Sequence, residues 1–340
     1  MSKDGGETPI AGMNEEKGAE RMEDRIAAER RGRTATEKGA GIGRTNRARR
    51  RNEDDLLFGP AVSLPCPYGG NAPREAFLAN PERRSAEEDA ILVECGFRIT
   101  SAELMLPTCP LCSACVTVRI PVATFSQSRT QRRNRRTNAD LVTSFERLEP
   151  DFKPNAELLS LFNRYLEARH PSSSMHRLER KHLAALLGGN GTGEQWILTV
   201  RTKPENGGKL LGFSHVHVRG RTMAGIYQAF EPNEPKRGIG TFLILELLDA
   251  AKTMNVTHLY PGDAVVGLSE MAYKFSFRPI EHLSESGWTE TPEGSRGEGL
   301  RVGRARLALI PVIRRIYAEA KAKERDDSQT RPRRGHEENR

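Results

Sequence analysis

Residues 241–254, TFLILELLDAAKTM, read as a helix whose Phe242, Leu243, Leu245, Leu247 and Leu248 cover more than one face. Such a helix needs apolar cover on several sides. Its neighbours in sequence supply it. Trp196–Arg201, Leu210–Val218 and Gly225–Phe230 are strand-like runs upstream, and His258-Leu259-Tyr260 is a short one downstream. A Gly207-Gly208 turn separates the first two runs, and Gly238 and Gly240 stand where the last long run gives way to the helix. Strands wrapped around one buried helix predict the α/β (α+β) class.

The remainder divides by composition. Residues 1–58 stand apart as a tail, whose first 55 hold no apolar periodicity and carry 13 basic and 12 acidic residues. Such a segment cannot bury enough apolar surface to offset its ordering entropy, so a disordered tail is expected. Residues 59–140 read as an N-terminal unit. Ser85 with Glu88 is a capping pattern for a helix over 85–96 that stops at Gly96. Strands are expected at 97–100 and 116–122, and residues 126–140 read as an arginine-dense connector. Residues 141–285 form the second unit, with helices over 155–170 and 176–187 and a short one over 271–277. Residues 286–340 are an extension: turn-rich to 303, then an amphipathic helix over 305–325 interrupted at Pro311, then a polar end.

Charge narrows the function. Fifty-three basic against 45 acidic residues leave +8, which favours an anionic partner. Nothing in the chain is apolar over about 18 residues, and the N-terminus has no apolar stretch after its first charges, so neither a membrane span nor a secretory signal is expected. The expected compartment is the cytoplasm.

Three constellations can do chemistry. Cys109-Pro-Leu-Cys112-Ser-Ala-Cys115 can turn three thiolates toward one point, with Cys66 as a fourth. A zinc ion or iron–sulfur cluster is the cofactor such a set would take; packed reduced thiols and a redox-sensitive disulfide are the alternatives. Cys95 falls on an apolar helix face and reads as a core residue. The second constellation is Arg129, Arg132, Arg133, Arg135 and Arg136, unbalanced by acids until Asp140. It is an anion site, or else a solvated charge run. The third is Arg237-Gly238-Ile239-Gly240, where backbone N–H groups at a helix start can hold an anion or an oxyanion, or simply make a tight turn. His215 and His217 share one strand face and read as a satisfied or solvent-facing pair rather than as metal ligands.

Several longer segments carry a resemblance. LPCPY at 64–68, GFRIT at 96–100, CPLCSACVTVRIPV at 109–122, FSQSRTQRRNRRTNADL at 125–141, RYLEARHP at 164–171, IYQAFEP at 226–232, KRGIGTFLIL at 236–245 and MAYKFSFRPIE at 271–281 resemble, in order, the aminoacyl-tRNA–protein transferases of the N-degron pathway. The likeness is nearest to the bacterial aspartate/glutamate leucyltransferase branch. It implies a GNAT-like acyltransferase domain beside a smaller cysteine-bearing one. It also implies transfer of leucine from its tRNA to a protein beginning with Asp or Glu, marking it for degradation. Arginyl transfer, and a GNAT acetyltransferase using acetyl-coenzyme A, are the competing readings.

That chemistry assigns expected roles. The base is sought among Glu231, Tyr260 and Asp263. Arg237, Gly238 and Gly240 are expected to hold the oxyanion or the tRNA end. Arg119, Arg129, Gln131 and Arg132 are expected to receive the acidic acceptor, and Arg133, Arg135 and Arg136 the tRNA phosphates. No cofactor is required for this reaction.

Overall fold

A computed structural model describes residues 61–330, apart from 65, 67, 69–73, 80–84, 100–103, 110, 111, 113, 172–176, 189–192, 296, 298, 299 and 301–309. The tail expected over 1–58 and the polar end beyond 330 lie outside the described residues.

A four-stranded antiparallel sheet opens the fold: β1 (Ala61–Leu64), β2 (Arg74–Leu78), β3 (Arg98–Ile99) and β4 (Leu104–Pro107), in the order β1-β2-β4-β3. Between β2 and β3 runs α1 (Ala86–Glu94), capped as its sequence predicts. Ser85 Oγ accepts from the Glu88 N–H, and the Glu88 carboxylate accepts from the Ser85 N–H. Gly96 ends it at φ +91°, where a Cβ would also stand 2.5 Å from Leu283 Cδ2. A short β5 (Cys115–Val116) follows.

The main sheet has eight strands. They are β6 (Val118–Pro121), β7 (Leu141–Arg147), β8 (Glu194–Thr202), β9 (Leu210–Arg219), β10 (Thr222–Phe230), β11 (His258–Tyr260), β13 (Glu281–Ser284) and β14 (Gly287–Glu290), ordered β14-β13-β6-β11-β10-β9-β8-β7. A separate β12 (Ala264–Val265) pairs with β5. Every neighbouring pair in the main sheet is antiparallel except β10 and β11. Parallel neighbours need a crossover, and the apolar helix expected from the sequence supplies it as α5 (Ile239–Thr253). This strand–turn–helix–strand unit has the α/β (α+β) character expected from the sequence.

On the α5 face the core gathers Phe242, Leu243, Leu247, Met223, Leu259 and their neighbours. On the opposite face α3 (Ala156–Arg169) and α4 (Arg180–Gly188) bury Leu161, Phe162, Leu166, Leu183 and Leu187 against Phe213. A short α6 (Ser269–Ala272) and a 3-10 turn, Tyr273–Ser276, sit where the sequence predicts a helix over 271–277.

Two expectations need correction. Residues 126–140 are not a plain connector. They hold a helix, α2 (Arg129–Thr137), that packs on α5, and β7 then pairs with β8 at the sheet edge. The turn-rich stretch after 284 includes the β13–β14 hairpin. Of the helix expected over 305–325, the described part is α7 (Ile310–Thr330), with Pro311 as its second residue; the stretch 301–309 lies outside the described residues.

One feature of the sheet positions the site. Strand β10 is nine residues long, yet only Thr222, Met223 and Ala224 pair with β11, opposite His258, Leu259 and Tyr260. Its register against β9 shifts between Gly225 and Tyr227. Beyond that bulge β10 continues to Phe230 without β11, so the sheet opens into a notch that ends at the glycine turn.

Candidate active site

The turn is held rigidly. Pro235–Arg237 forms a 3-10 turn and Gly238 follows at φ +58°, ψ +46°. A Cβ at Gly238 would lie 2.8 Å from Asn134 Nδ2. That amide donates to the Arg237 carbonyl at 2.9 Å and to the Gly238 carbonyl at 3.1 Å, and Asn138 Nδ2 donates to Arg237 O at 2.8 Å. Gly240 stands so close to β10 that a Cβ would meet Phe230 Cε1 at 2.9 Å, and Gln228 Nε2 donates to its carbonyl at 2.9 Å. The first backbone N–H groups of α5 are thus aimed by fixed neighbours.

Helix α2 has two faces. Gln131, Asn134, Arg135 and Asn138 point inward, spaced i, i+3, i+4 and i+7. Gln131 is buried, completes a capping box with Ser128, and donates to Ser276 O at 3.2 Å. Arg135 pairs with Glu246 and with Asp249 at 2.7 Å, and donates to Leu245 O at 3.0 Å. The inner face therefore ties the 3-10 turn Tyr273–Ser276 to the glycine turn, bridging the two walls of the notch. Arg129, Arg132, Arg133 and Arg136 share the outer face with the same spacing, and all four are exposed. The Arg132 guanidinium donates to the Gln127 carbonyl. Among the described residues none of the four pairs with a carboxylate.

The expected substrate contacts thus separate. Arg135 and Gln131 serve the packing of α2, and Arg237 is engaged by Asp140 through two hydrogen bonds of 2.9 Å and by Glu234 at 3.5 Å. The hydrogen bonds from Arg237 hold the Asp140 carboxyl below its ordinary range. Arg119 lies elsewhere: it pairs with Glu281 at 2.6 Å and stacks 4.2 Å over Trp288, beside Tyr260.

Nor do the three expected bases converge. Glu231 follows β10, seven residues beyond the Ala224 that pairs with Tyr260, or about 20 Å along a strand. It is buried. Burial pushes its carboxyl up, but the hydrogen bond and charge of Arg164 at 2.9 Å, with Lys209 at 3.5 Å, hold it below its usual value. Tyr260 is buried, and burial raises its phenol, so it stays protonated. Asp263 is buried between Thr117 Oγ1 at 3.3 Å and Arg98 at 3.5 Å. Its carbonyl accepts from Lys274 Nζ at 2.6 Å, and burial pushes that ammonium down to about 8.

Comparison with known proteins supplies the lineage. The model of the arginine-tRNA-protein transferase C terminus matches residues 157–284, and that of its N terminus matches residues 64–133. The aspartate/glutamate leucyltransferase of Allorhizobium ampelinum is 32% identical over 230 residues, 66% of this chain and 89% of that protein. That of Pseudoalteromonas atlantica is 29% identical over 233 residues, 68% of this chain and 96% of that one. The chain belongs to the aminoacyl-tRNA–protein transferase family. Among solved structures, the ribosomal-protein-S18-alanine N-acetyltransferase from Escherichia coli overlaps 35% of this chain and 64% of its own, at 17% identity and a TM-score of 0.25.

Within this transferase the described cysteines have separate partners. Cys66, Cys109, Cys112 and Cys115 are not joined in disulfides, and among the described residues no three His, Cys, Asp or Glu side chains gather to hold a metal. Cys109 Sγ donates to Glu75 O at 3.9 Å, while Cys115 is fixed in β5 by its pairing with Val265. Residues 65, 67, 110, 111 and 113, beside and between these thiols, lie outside the described residues, and no step is routed through a metal. Cys95 is fully buried, as expected for a core thiol.

Sequence reasoning misses the aromatic end of the notch. Tyr165 of α3 meets Phe230 edge-on at 5.0 Å and His170 at 5.6 Å, and Arg169 lies 5.7 Å over the Phe230 ring. Tyr273 stands within electrostatic reach of Tyr165. The apolar helix spacing dominates the RYLEARHP segment; its outward Tyr, Arg and His are the signal available there.

Proposed function

We propose that this transferase moves leucine from leucyl-tRNA to the N-terminal Asp or Glu of a protein and so marks that protein for degradation, in the cytoplasm where charged tRNA is made. The observation that carries it is the outer face of α2, four exposed arginines laid across a notch whose end is a clamped glycine turn. Guanidinium groups at that spacing suit a run of phosphates, and the helix start suits a tetrahedral oxyanion. Relatives bearing the aspartate/glutamate leucyltransferase name, matched over nearly their whole length, support the choice of donor and acceptor.

The reaction is the aminolysis of an ester. The acceptor's N-terminal amine attacks the leucyl carbonyl, a C–N bond forms, and the C–O bond to the tRNA ribose breaks. The proton lost by the amine ends on the departing ribose oxygen. An α-amine titrates at about 7.7–8.0, so a useful fraction is already neutral near pH 7.5 and no strong base is demanded. Positioning and oxyanion stabilisation remain as the protein's work. No cofactor enters.

The test is to present charged tRNAs, one amino acid at a time, with peptides beginning Asp, Glu or Ala, and to follow labelled product. Label is expected only with leucyl-tRNA and an acidic first residue. Transfer from arginyl-tRNA instead, or from acetyl-coenzyme A, overturns the reading. Exchanging Arg133 and Arg136 for Ala is expected to weaken tRNA binding and to flatten its dependence on log salt by about 0.7–0.9 per lost phosphate contact. An unaltered slope removes α2 from the interface.

A further inference from the structure

Both substrates in the reaction proposed above are anions: a tRNA end, and a peptide whose first side chain is a carboxylate. They must meet at one carbonyl from different sides, because the amine enters where the ribose is not. The exposed arginines of α2 lie on the face of the main sheet that α5 covers. The complementary approach is from the face covered by α3, and a receiver for the carboxylate belongs there.

Most cations on that side are already neutralised. Arg164 and Lys209 share Glu231, and Arg201 pairs with Glu157 at 2.7 Å. Arg169 differs. It is the last residue of α3, it is exposed, and among the described residues no carboxylate pairs with it. Its guanidinium rests over the Phe230 ring at 5.7 Å, and the edge of that same ring lies against Gly240. One phenyl ring therefore separates this cation from the start of α5. A guanidinium held on an aromatic face keeps its N–H fork free for a planar, bidentate partner. Tyr165, edge-on to Phe230, braces the ring that carries it.

The geometry points to Arg169 as the receiver of the acceptor's first acidic side chain, a specificity-determining residue in place of the Arg129, Gln131 and Arg132 group expected from the sequence. Gln131 is committed to its own cap and to Ser276, and Arg129 and Arg132 face outward on α2 with the remaining arginines. The assignment rests on the leucyl-transfer reading, so the two are tested separately.

With leucyl-tRNA as donor, Arg169→Ala is expected to raise KM for Asp- and Glu-starting peptides by about 10- to 100-fold, the span for losing a charge-assisted hydrogen bond. KM for leucyl-tRNA stays as in the parent protein. The preference for an Asp-starting over an Asn-starting peptide falls in the same proportion. Arg169→Lys, which keeps the charge and loses the fork, recovers part of the affinity. It also carries the test should the alanine variant fail to fold. Unchanged KM for acidic peptides, or an unchanged preference for Asp over Asn, in a variant that melts like the parent overturns the assignment. A parent protein that leucylates no acidic peptide is a different result: it overturns the leucyl-transfer reading itself, and Arg169's role with it.

Discussion

Gly238 is a position where one methyl group decides the local geometry. Its φ of +58° and the 2.8 Å that would separate a Cβ from Asn134 Nδ2 act together against any side chain. Gly238→Ala is expected to cost about 1–2 kcal/mol from backbone conformation alone, before the displaced amide is counted. The same change should lower kcat for leucyl transfer more than it raises KM for tRNA, since it moves the helix start and leaves the outer arginines in place. Melting curves and initial rates separate the two effects; an unshifted melt would show the turn to be less constrained than its contacts imply. At this scale the sequence is partly legible. The glycines announce a special turn, because their identity is itself a statement about backbone space. The partners that clamp it, Asn134 and Asn138, carry no such mark, because their role exists only once α2 lies on α5.

Helix α2 shows why elements of unusual composition are hard to read. Apolar periodicity finds helices that bury hydrocarbon, and α2 turns amide and guanidinium groups inward instead: Gln131, Asn134, Arg135 and, at its C-cap, Asn138. Its start is written in the chain as Ser128-x-x-Gln131, a capping box that both hydrogen bonds confirm. The helices α1, α3 and α5 follow their hydrocarbon pattern and fall where it places them. Charge count alone cannot tell the inward arginine of α2 from the outward four, but exchange can. Arg135→Met leaves Glu246 and Asp249, neighbours on one face of α5, without their cation. It is expected to destabilise the protein by about 1–3 kcal/mol, as loss of a hydrogen-bonded charge does, with the salt dependence of tRNA binding unchanged. Arg133→Ala is expected to do the reverse. Denaturant titration and salt-dependent binding on the same two variants decide the matter, and equal effects on both measurements would dissolve the two-face description.

Across the whole molecule, the joining of α1 to the main sheet makes stability depend on pH. Strand β9 is buried along its length and carries His215, His217 and Arg219. Arg219 pairs with the buried Asp89 of α1 at 3.2 Å and contacts His217 Nδ1 at 3.1 Å, while His215 Nε2 meets Gln195 at 3.1 Å. The pair expected from the sequence is thus held within the sheet. Burial pushes His215 down to about 3, and burial, His215 and Arg219 depress His217 further. Both rings are neutral in the folded chain at physiological pH. As pH falls below about 6.5 the unfolded chain takes up protons that the folded chain refuses, so stability declines. The decline continues until the folded pKa values are reached, near 3 for His215. Each histidine contributes up to about 1.4 kcal/mol of loss per pH unit in that window. Melting temperature is therefore expected to fall steadily from pH 6.5 to pH 4, and to fall less steeply in His215→Gln, which cannot take the proton. A melting profile flat over that interval, or one that the substitution leaves equally steep, would show that acid reaches these rings without unfolding the sheet. Because Arg219 links His217 to Asp89, acid entry at β9 also loosens the seat of α1, and with it the attachment of the N-terminal strands to the transferase sheet.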